Sequence, residues 1–86
     1  MVARMAVVEV KLFGMLSEYS VPRQFTVEAG TIREALKLAA EAGADKDLLR
    51  GALLFLNDRP ITGAGRFRRR LLDGDKLALL SPAGGG

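Results

Sequence analysis

Thr31-Ile32-Arg33-Glu34-Ala35-Leu36-Lys37-Leu38-Ala39-Ala40-Glu41-Ala42-Gly43 is the stretch on which the fold turns. Thr31 followed three residues later by Glu34 is a capping box: the threonine hydroxyl accepts from the Glu34 N–H, and the glutamate reaches back to the Thr31 N–H. Ile32, Ala35, Leu36 and Ala39 then repeat at the spacing of one helical face, and Gly43 offers the stop. The pattern predicts a helix over residues 32–42 with one apolar stripe, which has to be buried on another element.

Both flanks are strand-like. Upstream, residues 6–13 place Val8, Val10 and Leu12 on one face, with Val7, Glu9, Lys11 and Phe13 on the other, the period of a strand buried on one side. Gly14 ends that run, Met15 to Tyr19 reads as a short helical turn, and residues 23–28 alternate again with Phe25 and Val27 inward. These two strands are expected to pair antiparallel at one edge of a sheet.

Downstream, residues 44–50 fit either a further helical turn or a loop. Leu53-Leu54-Phe55-Leu56 is a continuous apolar run, the pattern of a strand buried on both faces, and Asn57-Asp58-Arg59-Pro60 reads as a turn. Residues 60–62 fit a short edge strand, where proline is tolerated. Gly63-Ala64-Gly65 reads as a flexible hinge into Arg66-Phe67-Arg68-Arg69-Arg70. Leu71-Leu72 is an apolar anchor before the turn Asp73-Gly74-Asp75, and residues 76–80 form the last strand. The sum is an α+β domain over residues 1–80, a mixed sheet packed on one main helix in the β-grasp arrangement. Its last strand lies beside the first, and residues 81–86 form a flexible tail.

Composition narrows the chemistry. The chain has 86 residues, 49% of them hydrophobic, enough for one small core. It has no cysteine and no histidine, which removes disulfides, thiolate nucleophiles, the usual general base and the usual metal ligands. The acidic residues are scattered, so neither a metal site nor independent catalysis is expected. The start carries no secretory pattern and no apolar run reaches membrane-spanning length, so a cytoplasmic protein is expected. The net charge of +3 comes from Arg66, Arg68, Arg69 and Arg70, without which the balance is slightly negative.

Lys11-Leu12-Phe13-Gly14, Thr31-Ile32-Arg33-Glu34-Ala35-Leu36, Asn57, Leu72-Asp73-Gly74-Asp75-Lys76-Leu77 and the ending Ser81-Pro82-Ala83-Gly84-Gly85-Gly86 follow the order found in the MoaD/ThiS sulfur-carrier proteins. Over nearly its whole length the chain resembles these ubiquitin-like β-grasp proteins. Its length and its short segment after the first strand resemble MoaD, the small subunit of molybdopterin synthase (molybdopterin-converting factor subunit 1), more than the shorter ThiS. It departs from the usual Pro-Pro-x-x-Gly-Gly ending at Ser81 and Gly84, and its loop over residues 63–70 is longer and more basic.

The resemblance implies a working C-terminus. An α-carboxyl group has a pKa near ~3.5, so at neutral pH the Gly86 carboxylate is ionised and a poor electrophile. Activation requires a nucleotide-using partner, because the chain has no phosphate-binding loop. The implied partner is a ubiquitin-activating-type, MoeB-like enzyme that uses ATP to adenylate Gly86. A sulfur donor protein then converts the adenylate to a thiocarboxylate.

No cofactor is expected on this chain itself. Pro82, Ala83, Gly84 and Gly85 are the implied stem that threads into a partner such as a MoaE-like large subunit in molybdenum cofactor biosynthesis. Six residues beyond Leu80 reach about 20 Å at roughly 3.3–3.6 Å each. Ordering that stem costs on the order of 1–2 kcal/mol per residue, so a docking face has to offset it. By resemblance that face includes Phe13, Pro60, Ile61 and Leu80.

Related carriers feed thiazole, cysteine or thiolated-tRNA synthesis, and a ubiquitin-like interaction module with an idle tail is a further reading. Arg66, Arg68, Arg69 and Arg70 form a candidate basic patch for an acidic partner or a phosphorylated substrate. With Phe67 among them they also permit nucleic-acid contact, though a solvated face is the more common use of such a run. Neither nucleic acid nor a membrane is an expected partner.

Overall fold

The computed structural model describes residues 5–14, 16 and 23–81. Strand β1 (Ala6–Gly14) carries Val8, Val10 and Leu12 inward and all three are buried; β2 (Gln24–Ala29) pairs with it antiparallel, setting Val27 against Val8 and Phe25 against Val10. The proposed helical turn at Met15 to Tyr19 lies outside the described residues, apart from Leu16, which is buried in the core.

Helix α1 spans Ile32–Glu41. The Glu34 N–H donates to the Thr31 hydroxyl at 3.3 Å, as the capping box requires. The reciprocal half differs: the Glu34 carboxylate lies 3.4 Å from the same hydroxyl instead of bonding the Thr31 N–H. Thr31 is here drawn into an isolated bridge with Arg70, flanked by bonds from Ile32 N–H to the Arg69 carbonyl (3.0 Å) and from Leu71 N–H to the Gly30 carbonyl (2.9 Å). At the other end the N–H groups of Gly43 and Ala44 return to the Ala40 and Ala39 carbonyls at 3.0 Å, the two bonds of a Schellman close.

Residues 44–50 form helix α2 (Lys46–Arg50), because the Asp45 side chain caps the N–H groups of Asp47 and Leu48 at 2.8 and 3.2 Å. Strand β3 (Leu53–Leu56) turns at Asn57 and Asp58 into β4 (Arg59–Ile61). Both turn residues have positive φ (52° and 69°), the type I′ pattern that asparagine and aspartate tolerate. Strand β5 (Lys76–Ser81) then enters between β1 and β3, parallel to the first and antiparallel to the second. The sheet order is β2-β1-β5-β3-β4, a mixed β-grasp sheet whose inward side chains form one core with Ile32, Ala35 and Ala39 of α1 and Leu49 of α2.

Three expectations are corrected here. First, β3 is not buried on both faces: Leu54 and Leu56 are buried, while Leu53 is 49% exposed and Phe55 half-buried. The helices cover one side of the sheet, and no second layer covers the other among the described residues. Second, Leu72 is no anchor. Leu71 fills the core, but its neighbour is 71% exposed because the chain here is extended and alternates. Third, Gly63 to Arg70 is no flexible hinge and free run. It is a hydrogen-bonded turn (Arg66 N–H to the Gly63 carbonyl, 3.2 Å) leading into a single 3-10 turn at Arg66–Arg68.

Candidate functional site

The uncovered face of the sheet has a register that aligns its apolar side chains. Phe13 of β1 stands beside Leu80 of β5, and Leu80 beside Leu53 of β3, giving one row across three strands. The next row is Lys11, Ala78, Phe55 and Pro60. Phe13 is 47% and Leu53 49% exposed, and Leu80 is partly exposed between them. A monomer that leaves a phenylalanine and two leucines contiguous in water presents a contact surface. A glutamate–lysine pair, Glu9 to Lys11 at 3.7 Å, borders it.

Of the four residues expected on this face, the structure brings together Phe13, Leu80 and Pro60. Ile61 is placed elsewhere: it stands opposite Leu54, on the helix side, and packs against the core. Adjacent residues of a strand point to opposite faces, so Pro60 and Ile61 cannot share one. Leu53 and Phe55 take its place. Their run of four apolar residues carries no alternation, so the sequence offers no sign that two of them face outward.

The apolar row lies one residue before the end of β5. Ser81, the last described residue, stands beside Gly14 and is 3% exposed. Gly14 has φ +67°, and a Cβ built on it would collide with the Ser81 carbonyl oxygen. Glycine at this point lets the two backbones approach closely. Pro82, Ala83, Gly84, Gly85 and Gly86 lie outside the described residues.

The other end of β5 is clamped by side chains. The Asp75 carboxylate accepts from the Asn57 amide (2.9 Å) and from Leu72 N–H (2.8 Å), while the Asn57 side-chain carbonyl accepts from Lys76 N–H (3.0 Å). Asp73 accepts from Val7 N–H at 2.8 Å, and Gly74, at φ +87°, donates to the Val7 carbonyl at 3.0 Å. The Asp-Gly-Asp turn therefore does more than reverse the chain. It ties β5 to β1 and to the β3–β4 hairpin, setting the register that aligns Leu80 with Phe13 and Leu53.

The arginine run does not form one patch. Arg66 is engaged within the chain, stacked 4.2 Å from the Phe67 ring centroid and bonded to the Gly63 carbonyl at 2.9 Å. Arg70 borders a separate cleft beside Met5 and Leu72, and Arg68 and Arg69 are exposed. Phe67 packs against the core with Arg66 over its ring, which disfavours base stacking.

Sheet order, the single main helix and the crossing last strand define the class: a ubiquitin-like β-grasp protein. No family model and no curated sequence matches the chain. Among solved structures, a chain in the complex of subunits 1 and 2 of molybdopterin-converting factor from Helicobacter pylori 26695 is 31% identical at a TM-score of 0.69; the match covers 93% of this chain and 99% of that one. The small archaeal modifier protein 1 of Methanosarcina acetivorans (23% identity, TM-score 0.78, 96% and 99% coverage) and Urm1 of Trypanosoma brucei (18%, 0.65, 99% and 100%) share the fold. The chain belongs to the MoaD/ThiS family of ubiquitin-like sulfur carriers. Among the described residues no helix is long and apolar enough to cross a membrane.

Proposed function

We propose that this chain is the sulfur-donating small subunit of a molybdopterin synthase, acting in the cytoplasm, with the Gly86 carboxylate as the working group. In the first step the carboxylate attacks the α-phosphorus of ATP on a MoeB-like enzyme, releasing pyrophosphate and leaving an acyl adenylate. Hydrosulfide delivered by a sulfur donor then adds to the carbonyl and expels AMP, and loss of the proton leaves the thiocarboxylate. The chain supplies the carried group, and the partners supply nucleotide binding and catalysis.

The observation that carries this reading is the position of the apolar row. Phe13, Leu80 and Leu53 lie directly before the point where β5 ends and the Gly84-Gly85-Gly86 stem follows in sequence. A partner that covers the row receives the stem at its edge, and burial of three large apolar side chains offsets the entropy of ordering it. The 31% identity to a chain from a two-subunit molybdopterin-converting factor supports a MoaE-like large subunit as that partner.

The test is intact mass spectrometry after incubation with a MoeB-like enzyme, ATP and sulfide. The expected product has one oxygen replaced by sulfur at Gly86. Adding a molybdopterin synthase large subunit and its pterin substrate should return the mass to that of the carboxylate. A chain that never gains sulfur from an enzyme active on its own carrier refutes the carrier chemistry. A thiocarboxylate that forms but is discharged only by a thiazole, cysteine or tRNA-thiolation acceptor refutes the molybdopterin assignment alone.

A further inference from the structure

The sheet face is not the only candidate contact surface. On the opposite side of the molecule, α1, α2 and the 3-10 turn enclose an open groove of about 660 Å³. Its floor is apolar, formed by Leu36, Ala40, Leu49 and Phe67. Leu36 and Ala40 belong to a second stripe of α1, adjacent to the buried stripe of Ile32, Ala35 and Ala39. This second stripe is only partly buried, packed against the margin of the core.

The walls are cationic. From α1 come Arg33 and Lys37, from α2 Lys46 and Arg50; Glu41 is the single acid among the lining residues. None of these four cations makes an ion pair or side-chain hydrogen bond among the described residues, where the one ion pair is Glu9 with Lys11. Each wall holds its two cations at i and i+4, a like-charge spacing that destabilises a helix. An anionic occupant relieves both repulsions together. The trench runs along α1 from Arg33 to Glu41, about 12 Å at 1.5 Å per residue, and stays open along that length. A small ligand, which binds where most of its surface can be enclosed, would stay largely wetted here. An extended chain with an apolar anchor can lie along it.

We infer that this groove is a second docking site, for an acidic peptide segment of a partner protein carrying an aliphatic anchor, and that it is independent of the sheet face. Leu36, Ala40 and Leu49 accept the anchor, and the paired cations of α1 and α2 clamp carboxylates on either side. Because the groove and the apolar row lie on opposite sides of the sheet, a partner can hold the chain by its helices while the row is engaged by another. The arginine run contributes little: Arg68 and Arg69 do not line the groove, and Arg66 is turned to Phe67 and Gly63.

The probe is a short acetylated peptide with a leucine pair between two blocks of glutamates, titrated into the ¹⁵N-labelled chain and followed by amide chemical shifts. Shifts are expected at Leu36, Lys37, Ala40, Leu49 and Phe67 and not at Phe13, Leu53 or Leu80, with binding weakening as salt rises. The double variant Lys37→Glu/Arg50→Glu should bind at least about tenfold more weakly while keeping its circular dichroism. A probe with serines for leucines should lose at least about tenfold as well. Phe13→Asp should bind the peptide as the parent does.

No shifts at millimolar peptide, shifts centred on the sheet face, or unchanged affinity in the charge-reversed variant would each overturn the inference. So would tighter binding of single-stranded oligothymidylate in the same groove. Should the double variant lose structure, Lys46→Glu alone, at an exposed position of the α2 wall, gives the same reading.

Discussion

Replacing Gly14 by alanine asks how much the close approach of β1 to Ser81 of β5 contributes to the fold. Two effects oppose the change. A side chain at positive φ costs about 1–2 kcal/mol, and a Cβ at Gly14 would collide with the Ser81 carbonyl oxygen and approach a Leu80 methyl to 3.3 Å. Backbone carbonyls do not rotate away as side chains do, so β5 has to shift, and overpacking of that kind costs about 1–3 kcal/mol. The expected loss is therefore about 2–5 kcal/mol, a large part of the total stability of a small domain. At about 4–8 °C per kcal/mol, Tm should fall by about 8–40 °C.

Gly74→Ala is the internal control. Its φ of +87° lies farther from the left-handed helical well, yet nothing stands within 4 Å of its added Cβ. Conformational strain alone ranks Gly74→Ala as the worse change, and the Ser81 contact reverses that order. Thermal and urea melts followed by circular dichroism measure both. If Gly14→Ala loses no more stability than Gly74→Ala, the close approach of β1 to Ser81 does not contribute to the fold. The displaced Ser81 should also slow thiocarboxylation of the variant at temperatures where it remains folded.

On the sheet face, Phe13→Asp and Leu53→Asp should each weaken association with a MoaE-like large subunit, the proposed partner, at least about tenfold by calorimetry, with little change in melting, since both side chains are about half exposed. Ile61→Ala separates core from interface: it should cost about 1–3 kcal/mol of stability and leave the affinity of the folded fraction unchanged. Asn57→Gly preserves the positive-φ turn but removes both side-chain bonds of the clasp with Asp75 and Lys76. A loss of about 1–3 kcal/mol is expected, with faster amide exchange at Lys76. Deleting Gly86, or changing Gly85 to phenylalanine, should abolish sulfur transfer with an unaltered melting curve; product formation by either variant would show that the terminal carboxylate is not the working group.

How far the site was legible depends on the range of the interactions that build it. Alternation along β1 alone points Phe13 outward, because period two is a property of a single strand. The family resemblance puts Pro60 and Ile61 together on the docking face, and the pleat separates them. Leu53 and Phe55 were hidden in an unbroken apolar run, whose outward half shows only once the sheet order is known. The groove between α1 and α2 rests on the angle at which two helices meet, and the pattern at residues 44–50 left even the second helix open.

The amino-acid sequence by itself determined what is local: the Thr31 cap, the inward residues of β1 and α1, the turn at Asp73 to Asp75, and the absence of histidine and cysteine chemistry. It also carried the ordered motifs that mark the family, including the glycines at its end. Only the tertiary structure decided which residues meet. Phe13, Leu80 and Leu53 are far apart along the chain and become neighbours because β5 inserts between β1 and β3, in a register set by Asp73, Asp75 and Asn57. Capping and periodicity act over a few residues, whereas strand pairing is a choice among distant partners, made by the fold as a whole.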